Sequence, residues 1–311
     1  MICLQFLNTA VNVLVMLAYA APGYVFIKRK MVEEESINAF AKVLLLICQP
    51  CLSIYSFNKA DYTPELGKQM LLFFILGTLL QLVMLVLTYL AFRKKCKTDA
   101  SYSVCTIAGT LGNVGFLGVP LLEALIENKN AVAFSAVYII GMNFISWTVA
   151  SAIITGDKKY ISLKKLIFNQ VILTLAIALP LFLTKTKLPA VLDNSVTVLG
   201  KMTTPLSMLI LGMRLGLIEF KQLYSDRKVF FFVFLKLIVF PLFGMAVVSF
   251  LPLEPYIKAT LVILCCCPTA SAVLSFAEMY NKGQKTAANI VLVSTLLSVI
   301  TIPLLMLLVK V

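Results

Sequence analysis

Ten runs of apolar residues, each about as long as a bilayer is thick, fill the chain, and short charged connections separate them. They cover roughly 5–27, 38–57, 69–92, 100–126, 131–154, 166–184, 195–217, 229–251, 256–280 and 286–309. About 20 apolar residues in a helix cross the hydrocarbon core. A helix also satisfies its own backbone there, which an open strand cannot. The pattern predicts an all-α integral membrane protein with ten transmembrane helices. Composition agrees, with 60% apolar and 13% charged residues among 311 and a mean hydropathy of +0.97. A soluble fold has too little polar surface to cover that many apolar side chains.

Lysine and arginine set the orientation. Of 27 basic residues, 16 fall in the first, third, fifth, seventh and ninth connections, among them Lys28, Arg29 and Lys30, and Arg93, Lys94, Lys95 and Lys97. The even connections and the C-terminus carry six. Basic loops stay on the cytoplasmic side, so the odd connections are expected there and both termini outside. The net charge of +13 is then topological bias with some attraction to anionic lipid, and no nucleic-acid partner is read from it. The first span is followed at once by Lys28-Arg29-Lys30 and lacks a secretory n-region, so it is expected to be retained. The eight cysteines imply no disulfide framework, because most lie within spans.

Ten spans divide into two five-span halves, 1–155 and 156–311, and an odd number of spans per half makes the second half inverted. Signals recur at matching places. Span 2 holds Gln49-Pro50-Cys51-Leu52-Ser53 and span 7 holds Thr204-Pro205-Leu206-Ser207. Span 4 is interrupted from Gly112 through Gly115 to Pro120, and span 9 at Cys267-Pro268-Thr269-Ala270-Ser271. Proline removes a backbone donor and clashes with the preceding turn, and glycine weakens a helix. Freed backbone groups are costly in lipid, so paired breaks mark helices that line a protected cavity near the midplane. The second half-helix of each span is expected to start near Asn113 and Pro268. Two helix N-termini converging there favour a carboxylate, with Asn113, Thr269 and Ser271 adding neutral hydrogen bonds.

At these residues the chain resembles the auxin efflux carrier family, which includes plant PIN-type carriers and bacterial malate-permease-like proteins. The most specific pieces are Gly112-Asn113 through Gly118-Val119-Pro120-Leu121, and Pro268 through Phe276-Ala277-Glu278-Met279-Tyr280-Asn281. Supporting pieces are Thr204 through Met208, Leu211-Gly212-Met213, and Ser298 through Pro303. The resemblance implies crossover helices at spans 4 and 9, a scaffold of spans 1, 2, 6 and 7, and elevator-like movement of spans 3–5 and 8–10. It implies a homodimer, with Asn113 matching an asparagine that contacts the substrate carboxylate and Asn169 a second candidate near the start of span 6. Gly112 stands where PIN-type carriers have proline, Gln170 where proline commonly follows the span-6 asparagine, and the long cytoplasmic loop of many plant members is missing.

Charges inside spans are expensive and are functional candidates by default. Glu123, three residues after Pro120, is a candidate to feel the substrate region and to carry a coupling proton. Lys236, mid-span 8, is expected either to support spans 4 and 9 or to counter a bound anion. Arg214, near a cytoplasmic end, reads as snorkelling. The chain has no histidine, which excludes a histidine proton relay. Backbone carbonyls at the breaks could ligate Na⁺ instead, so H⁺ and Na⁺ both stay open as coupling ions. The cysteine pairs around Pro50 and Pro268 admit a soft-metal carrier. No protease, hydrolase-elbow or phosphate-loop motif argues for an enzyme.

The sequence therefore predicts a secondary carrier for a small organic anion, with no cofactor, in a cell (inner) membrane. Its expected site comprises Asn113, Gly112, Gly115, Pro120, Pro268, Thr269 and Ser271, with Ser53, Thr204 and Ser207 on a facing scaffold. A ligand-binding membrane receptor on the same fold and a soft-metal carrier are the other readings. The charge-based orientation has a direct check: a membrane-impermeant thiol reagent should label Cys96 from the cytoplasmic side alone.

Overall fold

The computed structural model describes residues 11, 14–16, 18–157, 159, 170–217 and 226–309. Its helices run in order as α1 (Ala20–Lys28) and α4 (Ala100–Ala108), α2 (Ser36–Lys59), α3 (Pro64–Thr98), α5 (Val114–Leu125) and α6 (Ala131–Thr155). The second half gives α7 (Gln170–Leu183) and α11 (Ala272–Met279), with α8 (Ala190–Leu217), α9 (Arg227–Ser249), α10 (Pro255–Cys266) and α12 (Gln284–Met306). Six of them, α2, α3, α6, α8, α9 and α12, are long and apolar enough to cross a membrane, and the others are shorter. The described residues contain no strand, only one isolated antiparallel bridge between Gly112 and Thr269.

Helix α3 shows why these segments suit lipid. It buries Met70, Phe73, Leu80 and Leu85, yet Leu71, Leu72, Leu79, Leu87 and Leu90 stay exposed on its other side. An all-round apolar helix of this kind loses nothing when hydrocarbon is its solvent. Thr63 starts it by accepting a hydrogen bond from the Leu66 amide, and Pro64 occupies the first turn, where a missing N–H costs little.

Between helices, small residues set the distance. Helix α8 lies along α1 and α2, α7 lies along α2, α3 packs on α6 and α4, and α9 on α10 and α12. At the α1–α8 contact a side chain on Gly212 would overlap the Ala20 carbonyl, and one on Gly23 would overlap the Leu209 carbonyl. Without a hydrophobic drive between helices in lipid, such close backbone approach supplies the packing energy.

Three prolines inside helices are accommodated by widened π-turns that end one residue before Gln49-Pro50, Val119-Pro120 and Phe240-Pro241. The wider turn relieves the clash of the proline ring with the preceding carbonyl.

Polar ties collect the connections on two faces. Lys187 Nζ lies 3.0 Å from Asp61, and Gln69 donates to Glu254 at 2.8 Å, joining the second, sixth and eighth connections. The Lys187 hydrogen bond holds the Asp61 carboxyl below the usual carboxylate range. On the other face Lys228 pairs with Asp99, and Lys282 donates to the Thr155 carbonyl at 2.9 Å. The first of these ties joins the connection before α4 to the start of α9, and the second joins the end of α6 to the connection before α12.

Gly212→Leu should separate α8 from α1. We expect a thermal unfolding midpoint in detergent well below that of the parent, consistent with overpacking costs of about 1–3 kcal/mol, while Leu209→Ala on the same helix costs less.

Candidate functional site

The helix of span 4 stops at Ala108 and restarts at Val114; that of span 9 stops at Cys266 and restarts at Ala272. The first restart falls where the sequence places it. The second comes four residues after Pro268, because Pro268–Ala270 stay extended to pair with span 4. The Asn113 amide donates to the Pro268 carbonyl at 2.6 Å, and the Ala270 amide donates to the Leu111 carbonyl at 2.9 Å. Gly112 and Thr269 face each other between these bonds. The break is complete at Gly112 even without a proline there, since its neighbours bond to the other strand.

Each break leaves orphan carbonyls behind it and orphan amides ahead of it. The carbonyls are capped from inside the protein. Thr269 Oγ1 donates to the Ala108 carbonyl at 3.0 Å, closing α4, and Lys236 Nζ donates to the Cys265 carbonyl at 2.9 Å, closing α10. The Thr269 amide itself donates to Ser294 Oγ at 3.1 Å. Lys236 is fully buried, lies 4.5 Å from the centre of the Phe240 ring, and pairs with no carboxylate among the described residues. A cation at a helix C-terminus meets the negative end of the dipole. A side chain on Gly112 would come within 3.4 Å of this ammonium.

The amides ahead of the breaks are treated differently. Those of Gly115 and Phe116 at the start of α5, and of Ser271 and Ala272 at the start of α11, have no backbone acceptor among the described residues. All four residues line one cavity of about 330 Å³. Asn113 lines it too; its side chain is only 6% exposed and has no hydrogen-bond partner among the described residues. The Ser271 and Ser275 side chains add hydroxyls, Gln49, Asn143 and Ser207 add further polar atoms, and among the described residues no Asp or Glu lines the wall. Trp147 and Phe276, stacked edge to face with centroids 4.9 Å apart, form an apolar flank. Among the described residues Arg214 is the one cation in the wall, and it lies 3.3 Å from Glu278. Two positive helix ends, an unpaired carboxamide and a guanidinium make a seat for an anion.

Of the residues expected from sequence, Asn113, Gly112, Gly115, Ser271 and Ser207 line this cavity. Pro268 and Thr269 build the bridge behind it. Thr204 donates to the Phe116 carbonyl at 3.3 Å, tying α8 to the start of α5. Pro120 and Ser53 are not in the wall; the Ser53 hydroxyl returns to the Gln49 carbonyl at 3.2 Å within its own helix. Glu123 stands apart from the cavity and accepts from Tyr55 at 2.7 Å and Lys59 at 3.0 Å. Lys236 supports the break from behind rather than facing the cavity. Asn169 lies outside the described residues. The sequence reads Arg214 as snorkelling and quotes Gln49 only as part of the span-2 signal, while Asn143 and Trp147 are not singled out; Gln49, a polar residue directly before a mid-span proline, carries a readable signal. Among the described residues no three His, Cys, Asp or Glu side chains gather as metal ligands.

A family model described as "Membrane transport protein" matches residues 6–163 and 159–306. The chain belongs to this family. It is the family to which the motifs around Asn113 and Pro268 point. Membership makes the chain a membrane transporter that works in a lipid bilayer on a small molecule. Among curated proteins, a Rhizobium meliloti (strain 1021) protein named "Putative malonate transporter" is 26% identical over 220 residues, 66% of each chain, just under two thirds of that relative. Proteins of Escherichia coli (strain K12) and Shigella flexneri, each named "Uncharacterized transporter YfdV", are 24% identical over 296 residues, 91% of each chain.

Thr269→Val keeps the shape of the side chain and leaves the buried Ala108 carbonyl without its donor. We expect it to lower stability by about 1–3 kcal/mol, read as a lower unfolding midpoint in detergent, with Thr269→Ser retaining most of the parent value.

Proposed function

We propose that the cavity between the paired breaks is the binding site of a secondary carrier for small organic anions, mono- or dicarboxylates. The observation that carries this reading is the buried, unpartnered Asn113 carboxamide beside the four open amides of Gly115, Phe116, Ser271 and Ala272. Open amides and a guanidinium, with no Asp or Glu beside them among the described wall residues, favour a carboxylate over a cation. A volume of about 330 Å³ suits a small ligand rather than a lipid or peptide. The malonate named for one relative is a molecule of this class.

The mechanism proposed is alternating access of the elevator kind. The ten predicted spans, inverted halves, crossed helices at spans 4 and 9 and outward termini belong to this reading. Helices α1, α2, α7 and α8 act as the scaffold. Helices α3–α6 and α9–α12 move with the bound anion, and two copies of the chain associate in the cell membrane. The packing of α8 on α1 and α2, and of α3 on α6, supports such a division. Capped carbonyls behind the breaks also support it, because they make the paired segments one stiff body that moves without exposing backbone to lipid. The coupling ion is H⁺ or Na⁺.

Uptake of labelled mono- and dicarboxylates into proteoliposomes, with and without a pH or Na⁺ gradient, tests the proposal. Saturable flux of at least one carboxylate is expected, and flux of amines or metal cations in its place would refute the reading. In the same assay Asn113→Ala should raise the half-saturating anion concentration roughly tenfold, the scale of one lost hydrogen bond to a charged group, with an unchanged unfolding midpoint.

A further inference from the structure

A Na⁺ site at a broken helix is built from the carbonyls that the break frees. Here the carbonyls of Ala108 and Cys265 already accept from Thr269 Oγ1 and Lys236 Nζ. An amine nitrogen thus holds the cation position at the end of α10. Glu123, the carboxylate that the sequence offers as a proton carrier, stands apart from the cavity in a part-exposed ion pair with Lys59. Among the described residues Lys236 is the one Asp, Glu, Lys or Arg that is buried.

Its surroundings supply no opposite charge. The stretch of α9 that carries it packs on α10 and α12. From α10 and the break after it, the thiols of Cys265, Cys266 and Cys267 face the nitrogen, with the Tyr138 hydroxyl of α6 beside Cys265. Helix α12 holds no Asp, Glu, Cys or Tyr, and its one charged residue, Lys285, lies in its first turn. The other charges of α9, Arg227 and Lys228, lie at its start. Only Gly112 separates the nitrogen from the anion cavity: it lines that cavity, and a side chain on it would come within 3.4 Å of Nζ.

We infer that Lys236 carries the coupling proton, taking it up when a carboxylate enters the cavity and releasing it when the carboxylate leaves. The inference rests on the transport reading above and names its coupling ion as H⁺. A buried charge is costly without an opposite charge, and a lysine, unlike an arginine, sheds its proton when burial makes the charge costly. A carboxylate seated beyond Gly112 supplies the opposite charge across buried protein, where attraction is screened little. The amine takes H⁺ from the side to which the cavity is open and becomes –NH₃⁺. A monocarboxylate and that proton then cross as a neutral load and leave together on the other side. The nitrogen keeps its bond to the Cys265 carbonyl throughout, since a neutral amine also donates, so the cap on α10 survives the cycle. Linkage is reciprocal: the anion favours the proton as much as the proton favours the anion.

Calorimetric titration of the full chain in detergent with acetate, benzoate, malonate and succinate tests this. Buffers of differing ionisation enthalpy, from neutral to alkaline pH where these acids are ionised, count the protons bound with each anion. We expect proton uptake approaching about one per anion, and an affinity that falls by up to about tenfold per pH unit as Lys236 titrates. The sign follows from charge, because the cation attracts the anion and alkali removes the cation. Lys236→Met should bind more weakly, with no proton uptake and no pH dependence. Lys236→Arg keeps its charge at every pH used, so it should bind without proton uptake and at the parent's neutral-pH affinity. Glu278→Gln should keep the proton uptake, because the ion pair at the rim does not hold this proton. No proton uptake in the parent, uptake that survives in folded Lys236→Met, or uptake lost in Glu278→Gln while the anion still binds overturns the assignment. Should neither lysine variant keep the parent's unfolding midpoint, the parent and Glu278→Gln decide it. If none of the four anions binds, the carrier reading and this one fall together. Binding with proton uptake but no flux in proteoliposomes refutes carriage and leaves the proton on Lys236, whereas Na⁺-driven flux without proton uptake refutes the proton alone.

Discussion

A buried backbone group left without a partner costs several kcal/mol, and this protein interrupts two of its apolar helices between buried neighbours. What makes the interruption tolerable is the short antiparallel contact in which Asn113 and Ala270 donate to Pro268 and Leu111. Everything at the centre is arranged around those two hydrogen bonds. Thr269 can cap α4 because the bridge sets it beside Ala108, and Lys236 can cap α10 because Gly112 leaves room for its ammonium. Ala108 and Cys265 are capped in this way, while the amides of Gly115, Phe116, Ser271 and Ala272 open into one space.

This division of labour explains the odd position of Lys236. A fully buried ammonium with no counter-ion is expensive unless hydrogen-bonded, and one carbonyl at a helix end is a modest return. The return grows once the alternative is considered. Without a donor there, the end of α10 would present the Cys265 carbonyl unpaired next to the bridge.

Much of this was legible in the residues. Prolines suited to a first turn mark helix starts at Thr63-Pro64 and Glu254-Pro255, whereas Pro180 and Pro303 lie inside helices and mark no limit; apolar run length alone starts α3 at about 69, short of its polar first turn. Asn113, Gly115 and Ser271 were identifiable because polar and glycine residues have no reason to occupy matching mid-span positions unless backbone is exposed there. The location of α11 was not legible, since its delayed start depends on pairing with a segment about 155 residues away. Arg214 reads as snorkelling from its place in the last turn of α8, and only packing reveals that a cavity and Glu278 lie within its reach. Glu123 was placed on the correct helical face relative to Pro120 but faces Tyr55, because helix phase fixes an angle and not a neighbour.

The open amides of Gly115, Phe116, Ser271 and Ala272 have an evolutionary consequence. An amide is supplied by every residue except proline, so point mutation cannot easily remove it. On the transport reading, the demand for a negative charge is written into the chain's path and is nearly immune to drift. The choice among anions rests on the few side chains around it, Asn113, Ser275 and Arg214 among them. Descendants of such a chain can trade one cargo for another by single substitutions while the sign of the cargo stays fixed.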